Sequence, residues 1–179
     1  MAFLTRLFGG IQRIEEILLG WSIIAIAALT ISNVFCRAVL QFSLPFTGEL
    51  SQFFMIMVTF VGLSYAASRG RHIRMTALYD QFTPRGRKVL MIIISASTAA
   101  LMLVLAWYSF QYIDTVRFLE SVSPVLQVPL YLVYMLVPLG LISAAIQYAL
   151  TTARNVMSPD VYISFDVKDE YEQPLDGEI

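Results

Sequence analysis

The sequence predicts an all-α membrane protein with four transmembrane helices, short amphipathic interfacial helices and both termini cytoplasmic. Three observations carry this. The 179 residues are 58% hydrophobic and only 14% charged, with a mean hydropathy of +0.69, too apolar for a water-soluble domain. Residues 17–36, 50–68, 89–113 and 121–153 contain no Asp, Glu, Lys or Arg. About 20 apolar residues suffice for a helix to cross a hydrocarbon core about 30 Å thick. The basic residues also alternate from side to side. Four spans with an inner start put ten of the 12 Lys and Arg inside and leave Arg37 and Arg117 outside, as the positive-inside bias requires.

Residues 1–16 place Phe3, Leu4, Leu7, Phe8, Ile11 and Ile14 at helical spacing, with Arg6, Gln12 and Arg13 between them. This reads as an amphipathic helix on the cytoplasmic interface, or as the start of the first span, with Gly9 and Gly10 weakening it. The first span is 17–36, with Trp21 as an interfacial anchor. Its apolar part is too long for a signal peptide, and no A-x-A site follows. Pro45 breaks the outer connection 37–48. Thr47 is the expected N-cap of the second span, 50–68, and Glu49 in the first turn suits the positive end of the helix dipole.

Arg69, Arg71, His72 and Arg74 mark the inner side. Met75, Leu78, Tyr79 and Phe82 follow at i, i+3, i+4, i+7, the pattern of a short helix on the inner membrane surface near anionic headgroups. Thr83-Pro84 ends it and opens the next helix. The third span is 89–113, with Trp107, Tyr108 and Tyr112 near its outer end. Asp114, Arg117 and Glu120 return to water. Pro124 and Pro129 keep the start of the fourth uncharged run in the outer loop, so the fourth span is about 130–150, loosened by Pro138. The transmembrane domain is thus 17–153. Residues 154–179 form a cytoplasmic tail with seven acids and, after Arg154, one Lys168.

What is missing narrows the chemistry. One Cys36 excludes an internal disulfide, and one His72 excludes bis-histidine haem ligation within one chain. A pump needs ionisable groups within its spans, and the four uncharged runs have none. Acids are not paired for catalysis, no glycine-rich phosphate loop is present, and the basic loop is explained by topology rather than nucleic acid. No enzyme activity, cofactor or metal is expected. The residues left for function are assembly or interface groups: Asn33, Arg37, Glu49, Arg69, His72 and Arg74. Asn33 suits an interhelical hydrogen bond, a partner contact or a ligand contact. Arg37 and Glu49 bracket the outer connection, either as topology and dipole charges or as an ion pair or docking contact. His72 among arginines suits a polar interface. Gly62/Ala66, Ser95/Ala99 and Gly140/Ala144 lie one turn apart and permit close helix packing, inside the bundle or against a partner.

Residues 33–90 carry an ordered set of features: Asn33 and Arg37, Pro45-Phe46, Glu49-Leu50, Gly62 and Ala66, Arg69, His72-Ile73, and the connection from Leu78 to Lys88. In this order and spacing they resemble the small membrane subunit of TRAP (tripartite ATP-independent periplasmic) transporters, the DctQ-type family. Thr47 stands where that family usually has an aromatic residue, Gly48 where it often has a second acid, and the acidic tail is an addition. The resemblance implies an accessory scaffold subunit in a prokaryotic inner membrane. It implies a large membrane subunit holding the substrate and sodium sites, and a periplasmic binding protein delivering an organic acid or related solute. Membrane phospholipids are the remaining expected partner. The alternative is a self-sufficient, homo-oligomeric small transporter.

Overall fold

The computed structural model describes residues 2–69 and 84–158. They form α1 (Ala2–Val39), α2 (Phe46–Ser68), α3 (Pro84–Phe118), the short α4 (Leu130–Tyr134) and α5 (Leu136–Met157). Four segments, Gln12–Val39, Phe46–Ser68, Gly86–Phe118 and Leu130–Met157, are long and apolar enough to cross a membrane. They overlap the four expected spans and extend each of them, the second only at its N-terminal end and the fourth only at its C-terminal end; below, inner and outer name the sides that the charge pattern predicts. The expected surface helix around Met75–Phe82, with Arg71, His72 and Arg74, and the acidic tail from Asp160 lie outside the described residues.

Helix α1 does not stop at Glu15-Glu16. Its 38 residues span about 57 Å at 1.5 Å per residue, so residues 2–16 of the amphipathic segment and the first span are one continuous helix. Gly9 and Gly10 each cost about 1 kcal/mol against Ala in a helix, which is too little to break one this long.

The packing order differs from the chain order. α1 packs on α2, α2 on α5, and α5 on α3, while α4 touches α3, α5 and α2. α5 is therefore the central helix, and its sequence explains why. Pro138, Gly140, Leu141, Ala144 and Ala145 are all buried. At Gly140 an added Cβ would sit 2.5 Å from the Phe60 carbonyl oxygen and 2.8 Å from the Phe60 carbonyl carbon, so the backbones of α5 and α2 are in direct contact. Where α5 meets α3, Ser95, Ala99 and Ala106 of α3 are buried. Thr152 Oγ1 donates to Ser95 Oγ at 2.8 Å, and Ser95 Oγ donates to the Met91 carbonyl at 2.7 Å. At the inner end Lys88 Nζ donates to the Ser158 carbonyl at 2.7 Å. Of the small-residue pairs, Ser95/Ala99 and Gly140/Ala144 are buried in the bundle, and the Gly62 Cβ position lies 3.6 Å from Leu19 of α1.

Two local details follow from proline. Pro138 has no N–H for the Tyr134 carbonyl one turn earlier. The helix is interrupted there: α4 ends at Tyr134, Met135 stays in the α region (φ −61, ψ −23), and α5 resumes at Leu136. Pro45 is already helical (φ −63, ψ −32) and takes the N-cap place of α2. This corrects the expectation for Thr47. Its hydroxyl donates to the Leu44 carbonyl at 2.6 Å instead of accepting an amide of the first turn.

Replacing Gly140 with Ala will push a methyl group into the α2 backbone, and overpacking of this kind costs about 1–3 kcal/mol. Thermal unfolding of the purified protein should show a lowered midpoint for Gly140→Ala. Gly20→Ala, where an added Cβ meets nothing within 4 Å, should not lower it.

Candidate functional site

Besides the Ser95–Thr152 and Lys88–Ser158 contacts already described, the polar groups that the fold brings together form two joints, one toward each end of the bundle. The inner joint starts from the periodicity of α1. Among its described side chains, those not exposed are Gln12, Glu15, Leu19, Ser22, Ala25, Ile26, Leu29, Asn33 and Cys36. Apart from Ala25 they recur at alternating steps of three and four residues, the seam of a left-handed helix pair. Four of them, Gln12, Glu15, Ser22 and Asn33, are polar, so this seam interleaves polar with apolar positions. Near its inner end Glu15, 9% exposed, accepts a hydrogen bond from Ser64 Oγ of α2 at 2.7 Å. Ser64, 1% exposed, lies 2.6 Å from Ser143 Oγ of α5. With its own proton on Glu15, Ser64 accepts the proton of Ser143, so one chain of hydrogen bonds crosses three helices. The oxygens stand at hydrogen-bond separations with protons between them, so the arrangement is a fastening and not an open ion cage.

The outer joint is built from two sequence-predicted residues. Asn33 Oδ1 accepts the Leu44 N–H at 3.0 Å. It therefore closes the connection between α1 and α2, rather than bonding a neighbouring helix. Glu49, in the first turn of α2, accepts the Val125 N–H at 2.7 Å on one oxygen and the Leu126 N–H at 2.9 Å on the other. The loop it holds is internally bonded as well. Ser123 N–H donates to Val128 O at 2.9 Å, Leu130 N–H to Ser121 O at 3.0 Å, and Val122 pairs with Pro129 in an antiparallel bridge. Gln127 sits at φ 53 to close the turn. Both Glu49 oxygens thus face backbone amides. The Arg37–Glu49 ion pair that the sequence suggests does not form among the described residues; Arg37 ends α1 exposed. Two amides reach the carboxylate from a loop 76 and 77 residues away, a competitor that no local spacing reveals.

Arg69 caps α2. Its N–H donates to the Tyr65 carbonyl at 3.2 Å, and its guanidinium lies over the Tyr65 ring, 5.4 Å from the centroid. His72 and Arg74 lie outside the described residues. Asn33, Glu49 and the α2 end at Arg69 are not one cluster: the first two are at the outer end and Arg69 at the inner. Sequence reading missed Glu15, because an uncharged-run criterion starts the first span at Ile17. A usable signal existed in the polar residues Gln12, Glu15, Ser22 and Asn33, which all fall on one seam of α1.

Comparison with known proteins agrees with this architecture. Residues 26–157 match the family model for the DctQ component of tripartite ATP-independent periplasmic transporters. The chain is also 42% identical over 161 residues to the ectoine TRAP transporter small permease protein TeaB of Halomonas elongata, an alignment covering 90% of this chain and 83% of that protein. The family match takes in the outer half of the first membrane segment, all of the other three, and both polar joints except Glu15. On this ground the chain belongs to the DctQ family as a small permease subunit of a TRAP transporter.

Proposed function

We propose that this small permease subunit is a static scaffold for a sodium-coupled carrier of an organic acid or related solute. In this reading a large membrane subunit holds the substrate and sodium sites, a periplasmic binding protein delivers the solute, and this chain sits in the inner membrane with both termini cytoplasmic. The observation that carries it is where the polar groups of the spans point. Glu15, Ser64 and Ser143 are bonded to one another, as are Ser95 and Thr152. A transport pathway instead needs polar groups turned to a path near mid-membrane. The ectoine in the name of the Halomonas elongata relative makes ectoine the first solute to test.

Within this reading the six interface residues divide by role. Asn33 and Glu49 act through the shape of the outer end, which they hold. Arg37 is free to meet a partner at that end. Arg69, His72 and Arg74 serve orientation and contact with inner headgroups or the large subunit.

The decisive measurement is solute uptake by vesicles holding this chain with its large subunit, plus binding protein. Uptake should require all three, and this chain alone should give none; uptake that survives omission of this chain overturns the scaffold role. Orientation is checked in a Cys36→Ser background. An impermeant thiol reagent added outside should label Leu126→Cys and spare Met157→Cys. Glu49→Ala should speed hydrogen exchange at the Val125 and Leu126 amides by about tenfold or more, because each amide loses a charge-assisted bond worth about 1.5–3 kcal/mol.

A further inference from the structure

Helix α1 is the most weakly embedded span. Among the described elements it packs to any extent on α2 alone, through the narrow seam described above. Its remaining surface is bulky and exposed, with Ile14, Ile17, Trp21, Ile24, Ile31 and Phe35 all turned away from the bundle. In hydrocarbon an apolar seam hardly fixes a helix, because lipid tails solvate apolar side chains as well as another helix does. A slip of one turn moves α1 by only 5.4 Å and exchanges one set of apolar contacts for another. Trp21 and the flanking charges limit its depth in the bilayer, but its register and rotation against α2 must be set by something else.

The seam has two polar fastenings to groups outside α1. Asn33 bonds Leu44 at the outer end, and Glu15 bonds Ser64 at the inner end. They lie 18 residues apart, about 27 Å along a helix, close to the hydrocarbon thickness of about 30 Å. The polar residue between them, Ser22, spends its proton on the Leu18 carbonyl of its own helix and fixes nothing across the seam. The outer fastening reaches only the short connection beside α1, which can move with the helix. Glu15 reaches α2 and, through Ser64, α5.

We propose that Glu15 is the residue that sets the register of α1. Its bond to Ser64 locks the height and rotation of α1 on the α2–α5 pair, and so decides which apolar face α1 presents outward. A one-turn slip would leave a carboxyl group without its partner in a largely buried place, a penalty that exchanging one set of apolar contacts for another does not carry. One buried polar contact fixing the register of an otherwise permissive helix pair is a known use of such groups. The inference rests on this geometry and does not depend on the scaffold assignment.

Disulfide scanning of the full chain in membrane vesicles tests it, in a Cys36→Ser background. Leu19→Cys is paired in turn with Val58→Cys, Gly62→Cys and Ala66→Cys. In the native register the Gly62 position faces Leu19 and the other two lie one turn to either side, so the 19–62 crosslink should dominate. Glu15→Leu, and separately Ser64→Ala, should lower the ratio of the 19–62 product to its two neighbours by about tenfold, the weight of one buried hydrogen bond. Glu15→Gln, whose amide oxygen still accepts from Ser64, should retain the preference. A Ser95→Cys/Thr152→Cys pair across α3 and α5 reports an intact bundle. An undiminished 19–62 preference in both Glu15→Leu and Ser64→Ala overturns the proposal. Loss of the α3–α5 crosslink in both variants overturns it too, since Glu15 would then be holding the whole bundle and not one helix. Glu15→Gln behaving like Glu15→Leu would reject the hydrogen bond as the basis.

Discussion

Within a bilayer, apolar burial does not pull helices together, and this constraint shapes the contacts between the described helices. The hydrophobic effect places the four spans in the membrane but leaves their mutual arrangement almost undecided. What decides it is close backbone approach and the satisfaction of polar groups. Gly140 lets α5 touch the α2 backbone at Phe60. Ser95 and Thr152 join α3 to α5, and Glu15, Ser64 and Ser143 join α1, α2 and α5. α5 is central because it takes part in each of these contacts.

The two ends of the bundle solve different problems. At the inner end the helix termini are tied by long basic side chains, Lys88 to the Ser158 carbonyl and Arg69 over Tyr65. These basic side chains close helix ends, where cations favour the negative end of the dipole. At the outer end basic residues are scarce, and the work falls to Asn33 and Glu49, which accept backbone amides. Glu49 gains twice from its position. It lies in the first turn of α2, where the dipole favours a carboxylate, and it also pins a loop that returns from the far side of the chain.

The departures from the sequence reading come from distant partners or backbone angles that local spacing does not show. Local position suggests a capping role for Thr47, but Pro45, already helical, takes the N-cap place and α2 begins at Phe46. Arg37 and Glu49 bracket one connection and so suggest a pair, but two amides of the 121–129 loop bind the carboxylate instead. Glu15 escapes notice because charge counting treats every acid as the end of a span. In each case a partner distant in sequence, or a backbone angle, decides what local spacing leaves open or suggests otherwise.

Four helices long and apolar enough to span a membrane were legible in the sequence, because insertion depends on length, hydropathy and charge along the chain, and these are local sums. The interruption before Pro138 was legible for the same reason, since a missing N–H acts one turn away. The order α1–α2–α5–α3 was not. Nor was the inward turn of Glu15, the amide clamp at Glu49, or the inward use of Gly62, Ser95 and Gly140. Those depend on which faces meet, and lipid makes the competing apolar faces nearly equal in energy. Only the tertiary structure, by bringing specific polar atoms within hydrogen-bond distance, breaks that near-equality.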